Sequence, residues 1–215
     1  MPIHFLHVRK AGGTAIRHTL SPVAEAYSII LHGHDTRLSQ VPVGEKVFFV
    51  LRHPVTRFVS GFNSRLRKGL PRHFIEWRPE EERAFEAFQT PNSLAEALSN
   101  PEVRSRAEDA MLSIAHVSSS FADWFDGIEE VERRLPDIVL ICFQEKLLAD
   151  FERLKKLLGL PPQLSLPTDP VKAHATPTGL NRRLSKLALD NLGEWYKADI
   201  AFYERCAELR RATVW

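Results

Sequence analysis

Apolar residues along the chain fall into two rhythms. Short, mostly apolar runs occupy residues 3–8, Tyr27 to Leu31, Lys46 to Leu51 and 137–143, each followed by polar or turn-forming residues. Continuous apolar runs of this length suit strands buried on both faces. Between and after them the apolar positions recur at helical spacing. Residues 13–25 predict a helix after the first strand. Residues 146–158 predict another, with Leu147, Leu148, Phe151, Leu154, Leu157 and Leu158 on one face and Gly159 as its left-handed stop. Strands alternating with helices predict an α/β fold with a parallel sheet flanked by helices. In such sheets ligands sit at the carboxyl ends of the strands. Lys10, His32, His34 and Arg52 all lie at or just after a predicted strand end.

The remaining segments are less regular. Pro54 suits the first turn of a helix. Glu80, Glu81 and Glu82 open a helical pattern, Asn92 or Ser93 is placed to cap a short helix through Leu98, and longer helices are expected from Ser105 and over Asp123 to Arg134, before Pro136. Residues 160–178 hold five prolines and read as a loop, followed by one or two C-terminal helices. The whole chain reads as one domain, with 65–135 as a largely helical region.

Composition narrows the class of function. A hydrophobic fraction of 44% and a charged fraction of 26% are ordinary for a globular protein, and a net charge of +2 gives no global attraction to nucleic acid. Anion binding must therefore come from local clusters. Two cysteines make no disulfide framework, and Cys142 within an apolar run reads as a buried thiol in a reducing compartment. No apolar run approaches the ~20 residues that span a bilayer, so no transmembrane anchor is expected.

Local clusters are present. Arg9-Lys10-Ala11-Gly12-Gly13-Thr14-Ala15 joins the first strand to the first helix, and a tight turn of this kind aims several backbone amides and a helix dipole at one point. The third strand runs into Arg52-His53-Pro54-Val55-Thr56-Arg57-Phe58-Val59-Ser60-Gly61-Phe62. A cradle plus an Arg and a Ser after a second strand suggests a ligand with two separate phosphate-type groups.

These two segments carry a family resemblance. His7-Val8-Arg9-Lys10-Ala11-Gly12-Gly13-Thr14 resembles the first motif, H-x-P-K-T-G/A-G-T, of sulfotransferases that use 3′-phosphoadenosine 5′-phosphosulfate (PAPS). Arg52 to Phe62 resembles their second, R-D-P-x-x-R-x-x-S-x-Y. Arg9, His53 and Phe62 depart from the family's Pro, Asp and Tyr. The resemblance implies a P-loop-like three-layer sandwich, the sulfotransferase fold. It implies that Arg9, Lys10, Ala11, Gly12, Gly13, Thr14 and Ala15 line the 5′-phosphosulfate, with Lys10 aiding leaving-group departure, and that Arg52 and Ser60 take the 3′-phosphate. Arg57 then either touches that phosphate or pins the loop. His32-Gly33-His34 is similar to the His-Gly-His of the uronosyl 2-O-sulfotransferase branch, which implies His34 as the general base and His32 as its helper.

The same resemblance implies PAPS as co-substrate, 3′,5′-adenosine bisphosphate as product, no metal, and a carbohydrate hydroxyl or small molecule as acceptor. His116 and Trp77 are weaker candidates for acceptor contact. Lys172 and His174 fall where the family closes a loop over the nucleotide, and solvated loop residues are the plainer reading. Golgi members carry an anchor and stem before the first motif. Here the first strand starts at once, so a cytoplasmic protein is expected. Two alternatives remain. A P-loop kinase needs its Lys after the glycines, whereas Lys10 precedes Gly12 and Gly13. A non-catalytic nucleotide-binding module would keep the cradle and lose transfer.

Overall fold

The computed structural model describes residues 1–71, 73–169 and 181–213. It is α/β, with a four-stranded, all-parallel sheet flanked by helices. The strands are β1 (Ile3–Leu6), β2 (Ile29–Leu31), β3 (Lys46–Leu51) and β4 (Ile138–Phe143), in the order β2-β1-β3-β4. The helices are α1 (Gly13–Leu20), α2 (Pro54–Leu66), α3 (Pro79–Ala87), α4 (Pro91–Ala97), α5 (Arg104–Ser113), α6 (Ala122–Phe125), α7 (Ile128–Arg133), α8 (Leu147–Leu158), α9 (Lys186–Trp195) and α10 (Lys197–Ala212). No helix among the described residues is long and apolar enough to cross a membrane.

Contacts gather these elements into two compact units. The first contains the sheet and described residues 1–53, 120–169 and 201–213. Its core is Phe5, Leu6, Val47 to Leu51 and Leu140 to Cys142, joined by Trp124, Phe125, Phe151, Leu154, Phe202 and Cys206. The apolar runs do not alternate because both faces of the central strands are covered. Val47 pairs with Ile138 and Phe48 with Leu140, so Val139 is the extra residue of a bulge. Asp150 of α8 accepts the Phe143 N–H at 2.7 Å and forms an ion pair with Arg210, which ties the end of β4 to α8 and α10. Both cysteines, Cys142 and Cys206, are fully buried and unpaired with each other, and burial pushes both thiols up.

Several expected boundaries shift for local reasons. Helix α1 ends at Leu20 rather than at residue 25, because Pro22 has no N–H to continue the ladder. The expected helix over Asp123 to Arg134 is two short helices. Asp126 (φ 55°) and Gly127 (φ 122°) break it in left-handed conformations, and Asp126 is held there by Arg37 and Ser39. On α8 Phe151 and Leu154 are buried with Leu147 and Leu158 half-buried beside them, whereas Leu148 and Leu157 are exposed. Thr90, not Asn92 or Ser93, caps α4, its hydroxyl accepting the Ser93 N–H at 3.0 Å. Gly159 ends α8 at φ 62°, and α2 starts at Pro54.

The second unit is helical and contains described residues 54–71, 73–119 and 181–200. Phe58, Phe62, Phe85, Leu94, Met111, Ile114, Leu192 and Tyr196 form its core. Two buried ion pairs run through it. Arg57 donates to Asp199 at 2.7 Å and to the Ser119 carbonyl at 2.6 Å. Arg65 grips both Glu81 carboxylate oxygens with its Nε–Nη2 edge at 2.7 and 2.6 Å and donates to the Ile75 and Glu76 carbonyls. Arg65 therefore organises the loop before α3.

Burial alone would raise the Glu81 carboxyl. Hydrogen bonds from Arg65 and the Ala115 and Arg78 amides overturn that and hold its pKa at about 2. A depressed folded-state value means stabilisation that is present at neutral pH and is lost as pH falls from the ordinary carboxyl range toward 2. Glu81→Gln leaves Arg65 buried without its counter-charge and is expected to cost about 3 kcal/mol in urea unfolding. The gap between variant and parent should narrow as the pH is lowered through that range.

Candidate functional site

The site is assembled at the carboxyl end of β1, where the chain turns into α1. Lys10 adopts a left-handed backbone (φ 62°), which is uncommon for a residue with a Cβ, and Gly12 follows at φ 89° as the residue that starts α1. The two glycines are required for different reasons. Gly12 supplies a positive φ. Gly13 supplies close approach, because a Cβ there would lie 2.4 Å from His7 Cδ2 and 3.0 Å from Phe5 Cζ. With no acidic residue in the first turn of α1, its dipole and leading amides form a region suited to an anion. The Ala15 N–H, expected to face a phosphate, donates to the Gly12 carbonyl at 3.2 Å within the turn.

Arg52 follows β3 and donates from NH1 to the Lys10 carbonyl at 3.3 Å, across 42 residues of sequence. The hydrogen bond brings the arginine of the second motif to the lysine of the first. His53 has its amide taken by Glu145 at 2.9 Å and its ring 5.4 Å from that of Tyr203. Arg9 is paired with Asp35 at 2.6 Å.

His34 is held from three directions. Its Nδ1 lies 2.9 Å from the His7 carbonyl, its own carbonyl accepts the Trp124 indole N–H at 2.7 Å, and its ring centre is 4.0 Å from that of His7. A carbonyl only accepts, so Nδ1 carries the proton of the neutral ring and Nε2 presents a lone pair. Burial lowers the His34 pKa below the usual imidazole value, with the His7 carbonyl opposing and Arg9 and Arg17 adding to the depression. His32 is also lowered, by burial first and then by His4 and Arg17. Arg17 of α1 donates to the Leu31 and His32 carbonyls at 2.9 and 2.8 Å, pinning the end of β2 to the helix. His32 Nε2 lies 2.8 Å from His4 Nδ1, and His4 Nε2 lies 2.6 Å from Glu45.

Thus residues 9–15, His32, His34 and Arg52 belong to the first unit. Ser60, His116 and Trp77 belong to the second. Ser60 is buried on α2, and His116 lies against the next residue, its carbonyl 2.6 Å from where a Cβ on Gly61 would be. The Trp77 indole donates to the Arg65 carbonyl at 2.6 Å, and its ring sits 5.0 Å from Phe85 with Lys68 Nζ above it at 4.5 Å. Lys172 and His174 lie outside the described residues. Among the described residues no cluster of three or more His, Cys, Asp or Glu side chains is placed to hold a metal ion.

His4 and Glu45 were not singled out by any motif. The one signal was His4 itself, a polar residue inside a run that otherwise reads as core. No protein-family model matches the chain, and no match was found among curated proteins.

The Gly13 contact gives a direct test. Gly13→Ala forces a methyl group into the His7 ring and is expected to destabilise the protein by about 1–3 kcal/mol in chemical denaturation. A stability unchanged from the parent would show that His7 can move aside at no cost.

Proposed function

We propose that the protein is a PAPS-dependent sulfotransferase acting on an acceptor hydroxyl, of a carbohydrate by family resemblance. The observation that carries the reading is the Arg52–Lys10 hydrogen bond. Two motifs that resemble the family's separate phosphate motifs converge on one turn, at the carboxyl end of a parallel sheet. The flanked parallel sheet is also the framework that a P-loop-like three-layer sandwich requires.

In this reading the hydroxyl proton passes to His34 Nε2 as the acceptor oxygen attacks sulfur. The bond from sulfur to the bridging phosphate oxygen breaks, and 3′,5′-adenosine bisphosphate leaves. Lys10, at the mouth of the turn, offsets the negative charge that develops on the leaving phosphate. The amides of Gly12, Gly13 and Thr14, with the Thr14 hydroxyl, hold the 5′-phosphate. Arg52 offers a two-pronged fork to the 3′-phosphate. His32 assists on the acceptor side. The lowered pKa of His34 suits a base that must be uncharged to act.

Titration calorimetry without metal tests the donor site. 3′,5′-Adenosine bisphosphate is expected to bind, and Arg52→Ala to weaken it by about ten- to a hundredfold, the worth of a charge-assisted hydrogen bond. ATP binding as tightly as the bisphosphate would overturn the reading. His34→Asn is expected to leave that binding intact and to slow transfer by about 10²–10⁴-fold. In the parent the transfer rate should be flat at neutral pH and fall only as pH drops below the ordinary imidazole value, because the folded-state pKa of His34 is depressed.

A further inference from the structure

Glu45, His4 and His32 form a hydrogen-bonded chain from three separate elements. Glu45 lies in the turn before β3, His4 in the middle of β1 and His32 just after β2. His4 is 5% exposed, so its two ring nitrogens have to be satisfied within the protein, and they are. Neither His4 nor Glu45 belongs to the resemblance described above.

The chemistry of the partners fixes where the protons are. A carboxylate only accepts, so the proton between Glu45 and His4 is on His4 Nε2. With His4 neutral, its Nδ1 is a bare lone pair, and the 2.8 Å contact is then a donation from His32 Nε2–H. Neutral His32 is left with its own Nδ1 as a lone pair. Adding one proton reverses the chain. The proton enters at His32 Nδ1, the proton on His32 Nε2 passes to His4 Nδ1, and His32 is again neutral, now in the opposite tautomer. The positive charge comes to rest on His4, 2.6 Å from Glu45.

We propose that Glu45–His4–His32 is a proton relay in which His32 accepts a proton at Nδ1 and the resulting charge is stored on His4 beside Glu45. The surroundings favour that distribution. His32 is partly desolvated and faces Arg17 of α1 and His4 of β1, both of which disfavour a cation on its ring. An imidazolium on His4 meets a carboxylate instead. His4 and Glu45 are positioning residues that act through His32. That the relay serves the acceptor side of the site, beside the base His34, rests on the sulfotransferase reading; the relay itself does not.

The test is ring-nitrogen NMR of the ¹⁵N-histidine-labelled full chain, titrated from pH 8.5 to 5 without nucleotide. The expected course is that His32 starts with its proton on Nε2, and that the first proton added leaves His4 doubly protonated while His32 switches to the Nδ1–H form. Glu45→Gln keeps an acceptor for His4 Nε2–H but removes the charge, so in that variant the first proton is expected to stay on His32 and protonate both its nitrogens. Glu45→Asp should restore the switch. The relay is overturned if His32 carries its proton on Nδ1 at high pH, if it becomes doubly protonated in the parent while His4 stays neutral, or if Glu45→Gln titrates as the parent does. A relay that titrates as expected in a protein that fails to bind 3′,5′-adenosine bisphosphate would sink the sulfotransferase reading alone.

Discussion

The first unit is organised around a close approach, that of the start of α1 to the end of β1. Gly13 lies so near His7 that no side chain fits between them. That contact compresses the connection into a turn with left-handed backbone at Lys10 and Gly12. The turn exposes the Lys10 carbonyl to Arg52 and leaves the His7 carbonyl to orient His34. A looser connection would free these carbonyls to point elsewhere. The cation of one strand end and the imidazole of another would then lose their common reference. The steric constraint therefore comes first, and the electrostatic arrangement is built on it.

The second unit relies on a different device. Its helices are joined by loops whose carbonyls need partners. Two buried arginines, Arg57 and Arg65, satisfy carbonyls that the loops leave open, each balanced by one buried acid. Guanidinium suits this work because its planar fork can serve several carbonyls while keeping a carboxylate at one edge. Such networks are costly to break by halves and fix one arrangement of loops among several of similar hydrophobic content.

The elements that the sequence made legible are those governed by local rules. Lys46 to Leu51 folds over the expected residues because a central strand needs only an unbroken apolar run, and Gly159 ends α8 because a left-handed stop favours glycine. What was hidden depends on partners far along the chain. The break at Asp126 is stabilised by Arg37 and Ser39, 89 and 87 residues away. The role of Arg65 was hidden because its neutralising acid, Glu81, sits beyond a loop. The candidate site was legible in the same divided way. Lys10, His34 and Arg52 follow strand ends and could be found by counting, whereas Glu45 joins His4 only once the sheet is formed.

The chain has two cysteines, and both lie in the core of the unit that carries the candidate site. Burial disfavours the thiolate, the only form that reacts with an alkylating reagent. Neither sulfur can be modified without exposing the packed sheet or the last turns of α10 first. The helical unit has no cysteine. Thiol labelling is thus a clock for the opening of one unit and blind to the other, so the native sequence already separates the two motions without an engineered probe.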